Sequence, residues 1–288
     1  MNYEFYDTNA LIYLLGRFAE DPIKAASFAN SRKIVISNRV LSEIRISYSR
    51  NSELADFLLL ADVYIVNLDT LHFWEHDNVS SNLGARQLFA PDKLLPWTVE
   101  FMASPEMQNI IGADISIKEE LYNNYVENFR TSAGTMLHEH RLRASIDAKI
   151  MQWAAKEGRL LSPDKILYKH FPSRFIIEYV WYYKYAKQEP SNITANDLYD
   201  VINATAAPYV DIWVGERSMG GILKQIKNHA FPTSYSGIKY LHKKGELSDA
   251  TFASLARMKD RLRIQEIGLE DTKILTLRNF DELYQKFK

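Results

Sequence analysis

Short apolar runs and longer amphipathic stretches follow one another along the first 70 residues. The short runs are rich in β-branched and aromatic residues, and they predict strands at 3–6, 33–37 and 62–66. Longer stretches with helical spacing predict two helices after each of the first two strands, and Ser37 or Asn38 can cap the third helix. This β-α-α-β-α-α-β order predicts an α/β fold with a central parallel sheet and helices on both faces.

The pattern changes between about residue 70 and residue 190, where β-branched runs are few. Helical patterns there lie at 117–129, 136–156 and 175–187. We therefore interpret 71–193 as a large helical insertion into one core made of 1–70 and 194–288. The second part of that core is predicted to contain helices at 195–207, 217–228 and 280–287 and strands at 209–214 and 273–277.

Composition narrows the class of protein. The chain has 288 residues, 47% hydrophobic and 25% charged, as in ordinary globular proteins. It has no cysteine, which excludes a disulfide framework and thiolate-bound zinc and is compatible with the cytosol. We expect no secretory signal, since Asp7 interrupts the first apolar stretch, and no membrane span of about 20 apolar residues. The expected location is cytoplasmic.

Acidic residues mark the ends of predicted elements. Asp7 ends the first strand, where ligands of parallel sheets bind. Asp197 and Asp200 are three residues apart and share one helix face. Asp211 lies inside a predicted apolar strand and is costly to bury unless a cation or a donor meets it. Helix capping explains single members of this set, whereas their joint arrangement favours a hard cation such as Mg²⁺ or Mn²⁺.

In its short motifs the chain resembles the PIN domain family. The resemblance rests on Tyr6-Asp7-Thr8-Asn9-Ala10, Ser42-Glu43, the segment 200–206, Val214-Gly215-Glu216 and the closing 274–277 followed by Phe280. PIN domains are metal-dependent nucleases, mostly acting on RNA, and include the toxins of many bacterial toxin–antitoxin pairs. The resemblance implies a PIN-like three-layer sandwich with a central parallel sheet. Here it would carry the large helical insertion.

The resemblance also implies a set of site residues. Four acids would occupy the catalytic positions: Asp7, Glu43, Asp200 and Glu216. The expected ligands of Mg²⁺ or Mn²⁺ are Asp7, Asp197, Asp200 and Asp211, with Asp211 close to Asp7 or Asp200. Asn9 and Thr8 are candidate donors to a phosphate of the nucleic acid or to a carboxylate, with helix capping as the alternative. Glu216 stands where the family usually has Asp.

A carboxylate site repels a polyanion, so the grip on nucleic acid must come from basic residues elsewhere. Arg141 and Arg143 in the predicted insertion are the first candidates, and the others are Lys149, Lys243, Lys244, Arg257, Lys259, Arg261 and Arg263. The alternative is that these residues form the solvated face of a docking or dimerisation surface.

The combined expectation is a metal-dependent endoribonuclease of the toxin or RNA-processing kind. It would act on single-stranded RNA, with an antitoxin or a second copy as a further partner. The leading alternative is a non-catalytic PIN-like module that binds RNA or protein, which Glu216 favours. Two enzymatic alternatives rank lower: a zinc peptidase from the H-x-x-E-H match at His72–His76, and a haloacid-dehalogenase-type phosphatase, which expects an acid where Asn9 stands.

Overall fold

The structure of this protein is a computed structural model. It describes residues 3–47, 51–68, 71, 75, 95–96, 171–181, 183–184, 195–229, 242–243, 245, 248–250, 252–253, 269 and 271–287. Several sequence-based expectations fall outside these residues, among them the helices predicted at 117–129 and 136–156 and both arginines Arg141 and Arg143.

A six-stranded sheet forms the centre of the described part. Its strands are β1 (Tyr3–Tyr6), β2 (Lys33–Ser37), β3 (Val63–Val66), β4 (Leu95–Pro96), β5 (Ile212–Gly215) and β6 (Lys273–Thr276). Their spatial order is β4-β3-β2-β1-β5-β6. All neighbouring pairs are parallel except β3 with β4, which is antiparallel. The predicted central parallel sheet is confirmed.

Helices surround this sheet. They are α1 (Thr8–Glu20), α2 (Pro22–Asn30), α3 (Asn38–Ser47), α4 (Asn51–Leu60), α5 (Pro172–Trp181), α6 (Ala195–Ala204), α7 (Arg217–His229) and α8 (Leu277–Lys286). Two ends follow the sequence signals: Ser37 Oγ accepts the Val40 N–H at the start of α3, and Pro22 opens α2. No helix within the described ranges has both the length and the apolar character needed to cross a membrane.

The order β1-α1-α2-β2-α3-α4-β3 confirms the predicted arrangement of the first 70 residues. One later strand was not predicted, and the start of another is wrong. The strand that was not predicted is β4, which lies within 71–193 and adds an antiparallel edge to the sheet. Strand β5 begins at Ile212 rather than at 209, because α6 ends at Ala204 and Ala207–Tyr209 form a 3-10 turn. Pro208 in that turn has no N–H to continue an α-helix.

Strand β1 occupies the middle of the sheet. Its neighbouring residues Phe5 and Tyr6 point to opposite faces and are both 0% exposed, so both faces are covered. The chain runs from β1 outward to β2 and β3 and later returns to the other side of β1 with β5 and β6. A reversal of this kind opens a crevice at the carboxyl ends of the strands, next to β1.

Aromatic side chains fasten the last helix to this core. Phe280 of α8 is 0% exposed. Its ring centroid lies 5.1 Å from that of Tyr6 and 5.6 Å from that of Phe28, both in edge-to-face geometry. The predicted closing strand and helix therefore belong to the same core as β1.

Glu75 connects the predicted insertion to the core. It is only 1% exposed, and its carboxylate accepts the backbone N–H and the hydroxyl of Ser173 in α5, both at 2.6 Å. The buried hydroxyl of Tyr209 donates to the same carboxylate. Glu75 is the acid of the H-x-x-E-H match, and these contacts give it a structural role. The division of the chain into core and insertion stays a prediction.

Replacing Phe280 with Ala should test how much the aromatic contacts contribute. We expect a loss of roughly 3–5 kcal/mol in the free energy of unfolding, because a buried ring is exchanged for a cavity. Urea unfolding followed by circular dichroism measures it. The control is Leu59→Ala on α4, since Leu59 is 63% exposed and should change stability by less than about 0.5 kcal/mol. Equal losses in the two variants would contradict the assigned role of Phe280.

Candidate active site

Asp7 lies at the carboxyl end of β1, and both of its carboxylate oxygens are held by backbone donors. Its Oδ1 accepts the Ala10 N–H at 2.8 Å, so Asp7 is the N-cap of α1. Its Oδ2 accepts the Glu216 N–H at 3.0 Å from the turn after β5. The side chain is buried at 7% exposure. One carboxylate thus joins the end of β1, the start of α1 and the start of α7.

Gly215, the last residue of β5, makes this arrangement possible. A Cβ atom at this position would lie 2.1 Å from Asp7 Oδ2 and 2.3 Å from Trp213 Cη2. Any other residue would therefore push Asp7 or Trp213 out of place. The Val-Gly-Glu motif at the end of the predicted strand contains this glycine. The sequence alone does not show that the space left by its missing side chain is filled by the Asp7 carboxylate.

Glu216 directly follows Gly215, and two polar side chains orient its carboxylate. The side-chain amide of Asn9 donates to Glu216 Oε1. The hydroxyl of Ser218 donates to Oε2 at 3.3 Å. Asn9 is therefore not the helix cap that the sequence left open, because Asp7 fills that position. Its role in binding nucleic acid stays a prediction.

Glu43 enters from α3, on the other side of β1. The hydroxyl of Thr8 donates to its carboxylate. Because Thr8 directly follows Asp7 in sequence, this contact draws Glu43 toward the same end of the sheet. Thr8 and Asn9 thus each hold one acid of the predicted set, one on either side of Asp7.

Asp197 and Asp200 of α6 share a cation supplied by the chain itself. The Lys184 ammonium lies 2.5 Å from Asp197 Oδ1 and 3.4 Å from Asp200 Oδ2. This lysine lies in the aromatic run 181–185 and was not among the predicted site residues. Its only signal was a single positive charge among aromatic residues.

Electrostatics links Asp7 to two of the other acids. The pKa of Asp7 is raised to about 7, chiefly by burial; the charges of Asp200 and Glu216 add to this rise, and the two backbone N–H donors oppose it. Burial also raises the pKa of Asp200; Lys184 opposes this shift, while Glu216 and Asp197 add to it. The structure therefore brings Asp7, Asp200 and Glu216 within electrostatic reach of one another.

The donor set suits a hard cation. All three groups offer carboxylate oxygens, and each Asp7 oxygen accepts one backbone N–H, which leaves lone pairs on both. No group of three acids within the described ranges stands close enough to share an ion. Mg²⁺ is usually held by only one or two carboxylates together with waters and phosphate oxygens, so the site can fit it.

Asp211 does not belong to this site, and its predicted metal role is wrong. Its N–H donates to the Tyr3 carbonyl and its Oδ2 accepts the Tyr3 N–H, both at 3.0 Å. Tyr3 begins β1 and Asp7 follows its end, so about 13 Å of strand separates the two positions at about 3.3 Å per residue. Asp211 is half-buried, and the donor that meets its Oδ2 is a backbone N–H.

Comparison with known proteins identifies the first part of the chain. Residues 5–94 match the family model of the PIN domain. The matched range contains Asp7 and Glu43 and ends directly before β4. No curated protein and no solved structure matches the chain. The parallel sheet and its helices are those of the PIN-like α/β fold.

Substitution of Gly215 by Ala should displace Asp7. We expect a loss of about 1–3 kcal/mol in the free energy of unfolding, because the added methyl group overlaps a buried carboxylate. Thermal or urea unfolding measures it. Gly221→Ala is the matched control, since a Cβ there meets nothing within 4 Å and Ala in a helix should stabilise by about 0.5–1 kcal/mol. A Gly215→Ala protein as stable as wild type would contradict the tight contact.

The raised pKa of Asp7 should make stability depend on pH. Between about pH 4 and pH 7 the folded chain keeps a proton that the unfolded chain releases, so the free energy of unfolding falls as pH rises. With metal removed by EDTA, we expect Asp7 to contribute a loss of about 2–3 kcal/mol between about pH 5 and pH 8. Urea titrations of wild type and Asp7→Asn isolate this part. Identical pH slopes in the two proteins would refute the assignment.

Proposed function

We propose that this chain, which carries a PIN domain, is a metal-dependent ribonuclease that hydrolyses phosphodiester bonds in RNA. PIN domains are generally nucleases that use divalent metal ions. One observation carries the proposal for this chain. Asp7 is a buried carboxylate fixed by two backbone donors, and the charges of two further acids, Asp200 and Glu216, raise its pKa.

Other buried acids in the described part have different surroundings. Glu4 accepts two contacts from the Arg32 guanidinium, at 2.6 and 2.8 Å. Glu75 accepts donors from Ser173 and Tyr209. Asp7 instead faces Asp200 and Glu216, which disfavour its charged form. A buried group kept in such surroundings at a sheet crevice is a candidate for function.

The acids divide the work by position. Asp7 and Asp200 would hold Mg²⁺ or Mn²⁺, because both are partly desolvated and lie within electrostatic reach of each other. When bound, the ion supplies positive charge at the phosphate and lowers the pKa of a bound water. Glu216 is held at Oε1 by Asn9, and its Oε2 has the longer contact with Ser218. We assign Oε2 to orient the attacking water and accept its proton.

Glu43 has a supporting place in this scheme. The Thr8 hydroxyl fixes its carboxylate beside the end of β1, across from Glu216. From there Glu43 would help to orient the waters of a bound metal ion. Its replacement should weaken metal binding less than replacement of Asp7.

The substrate and setting extend the proposal. Single-stranded RNA is the proposed substrate, in the manner of a toxin or an RNA-processing nuclease. A chain without cysteine fits a reducing compartment such as the cytoplasm. An antitoxin-like protein or a second copy of the chain is the proposed further partner.

A non-catalytic RNA- or protein-binding module is the second candidate, and Lys184 favours it. This ammonium already balances part of the charge of Asp197 and Asp200, as an internal substitute for a metal ion would. A module of this kind would bind RNA equally well with and without divalent ions and would not cleave it.

Two conservative substitutions should separate the candidates. Asp7→Asn keeps the side-chain shape and removes the charge, so Mn²⁺-dependent cleavage of a labelled single-stranded RNA should fall at least about 100-fold, or about 2.7 kcal/mol in activation free energy. Asp211→Asn is the matched control at the opposite end of the sheet. It should cleave within about twofold of wild type, since an amide oxygen can still accept the Tyr3 N–H. The nuclease proposal fails if wild type does not cleave, or if Asp7→Asn cleaves like wild type.

A further inference from the structure

A cavity of about 680 Å³ opens beside the acidic site, at the carboxyl end of β6. Glu216 forms part of its wall, so the cavity and the acidic site share a residue. Most of the remaining lining comes from the first turns of α7 and α8, namely Arg217 and Ser218 of α7 and residues 276–279 at the start of α8. Its volume lies within the range of about 300–1,000 Å³ that is typical of ligand pockets.

Three cations line this cavity against one carboxylate: Arg217, Lys224 and Arg278. All three residues are exposed. Arg278 has only a 3.7 Å contact with Glu282, and its side chain is 91% exposed, so its guanidinium can turn toward a ligand. The cavity therefore combines an excess of positive charge with hydroxyl and amide groups. Such a surface binds phosphate oxygens.

The position of these cations beside Glu216 resolves a problem set by the acids. Asp7, Asp200 and Glu216 together repel a polyanion, and the basic residues expected from the sequence, Arg141 and Arg143, lie outside the described residues. We propose that the cavity lined by Arg217, Lys224 and Arg278 binds phosphates of the RNA strand that neighbour the phosphodiester to be cleaved. This inference rests on the proposed function and adds a substrate-binding site to it.

An acidic protein segment is the other occupant that three cations could attract. The RNA strand is favoured because a phosphate bound between α7 and α8 lies next to the wall residue Glu216, and therefore next to the acids that would act on the strand. The RNA strand would continue from the cavity into the crevice at the end of β1. A peptide has no such reason to extend across Asp7.

The test measures RNA binding apart from cleavage. A fluorescent single-stranded RNA of mixed sequence is titrated with the full-length chain in EDTA, and again with Mg²⁺ in an Asp7→Asn background. The double variant Lys224→Glu/Arg278→Glu should raise the dissociation constant about tenfold or more. It should also lower the slope of log K against log salt by about 1.4, or about 0.7 for each lost phosphate contact. Lys224→Gln/Arg278→Gln should give a smaller change of the same sign.

The matched control is Lys273→Glu/Lys286→Glu, which changes the charge by the same amount. Both residues are exposed; Lys273 begins β6 at the far end of the sheet, and Lys286 ends α8. This control should bind RNA within about twofold of wild type, apart from a small general effect of net charge. Circular dichroism shows whether each variant is folded.

Three results would overturn the inference. They are RNA binding by the Lys224/Arg278 variant equal to that of the control, an unchanged salt slope, and no RNA binding by wild type under either condition. The first two leave the nuclease proposal standing if Asp7→Asn still abolishes cleavage. If the Lys224/Arg278 variant loses RNA binding and wild type never cleaves RNA, the RNA-binding role of the cavity stands and the nuclease proposal is refuted. A variant that binds RNA normally but no longer binds an acidic peptide would assign the cavity to a protein partner.

Discussion

The contact of the Asp7 carboxylate with two backbone N–H groups is the interaction on which the rest of this structure depends. It caps α1 through Ala10 and holds the turn into α7 through Glu216. It also leaves no room for a side chain at Gly215. Two elements that are distant in sequence are thereby tied to the end of the central strand. The same carboxylate belongs to the candidate site, so one side chain serves both the fold and the proposed chemistry.

Charge balance explains how the molecule can tolerate so many acids in one region. Asp7 is desolvated beside Asp200 and Glu216, which is unfavourable while all are ionised. Lys184 relieves part of the repulsion at α6, and Asn9 relieves part of it at Glu216 by donating a neutral hydrogen bond. The remaining imbalance is what a divalent ion would remove.

Much of the fold was predictable from the sequence because periodicity and capping are local. The strands at 33–37 and 63–66 follow β-branched runs, and Ser37 caps the helix after it. The start of the strand predicted at 209–214 was wrong because the apolar residues on both sides of Asp211 do not reveal where a helical turn ends and a strand begins. Strand β4 was not predicted because two residues at a sheet edge are too few to show a period.

The candidate site was predictable to the extent that it depends on strand ends. Asp7 and Glu216 follow parallel strands, so their convergence follows from topology. Asp211 was misplaced because the sequence does not show which donor a carboxylate within an apolar strand meets. Lys184 and the cations near β6 were missed because their places depend on packing between elements that are far apart in the chain.

The burial of Glu75 against Ser173 has a consequence for how the chain can vary in length. These two residues are 98 positions apart and hydrogen-bonded, so the two ends of the stretch between them lie close together. Doubling the length of a closed stretch adds only about 0.6 kcal/mol of closure entropy. Its length could therefore change while the five parallel strands stay unchanged, since β4 alone among the six strands of the described sheet lies within it. The Glu75–Ser173 contact marks a natural point of grafting.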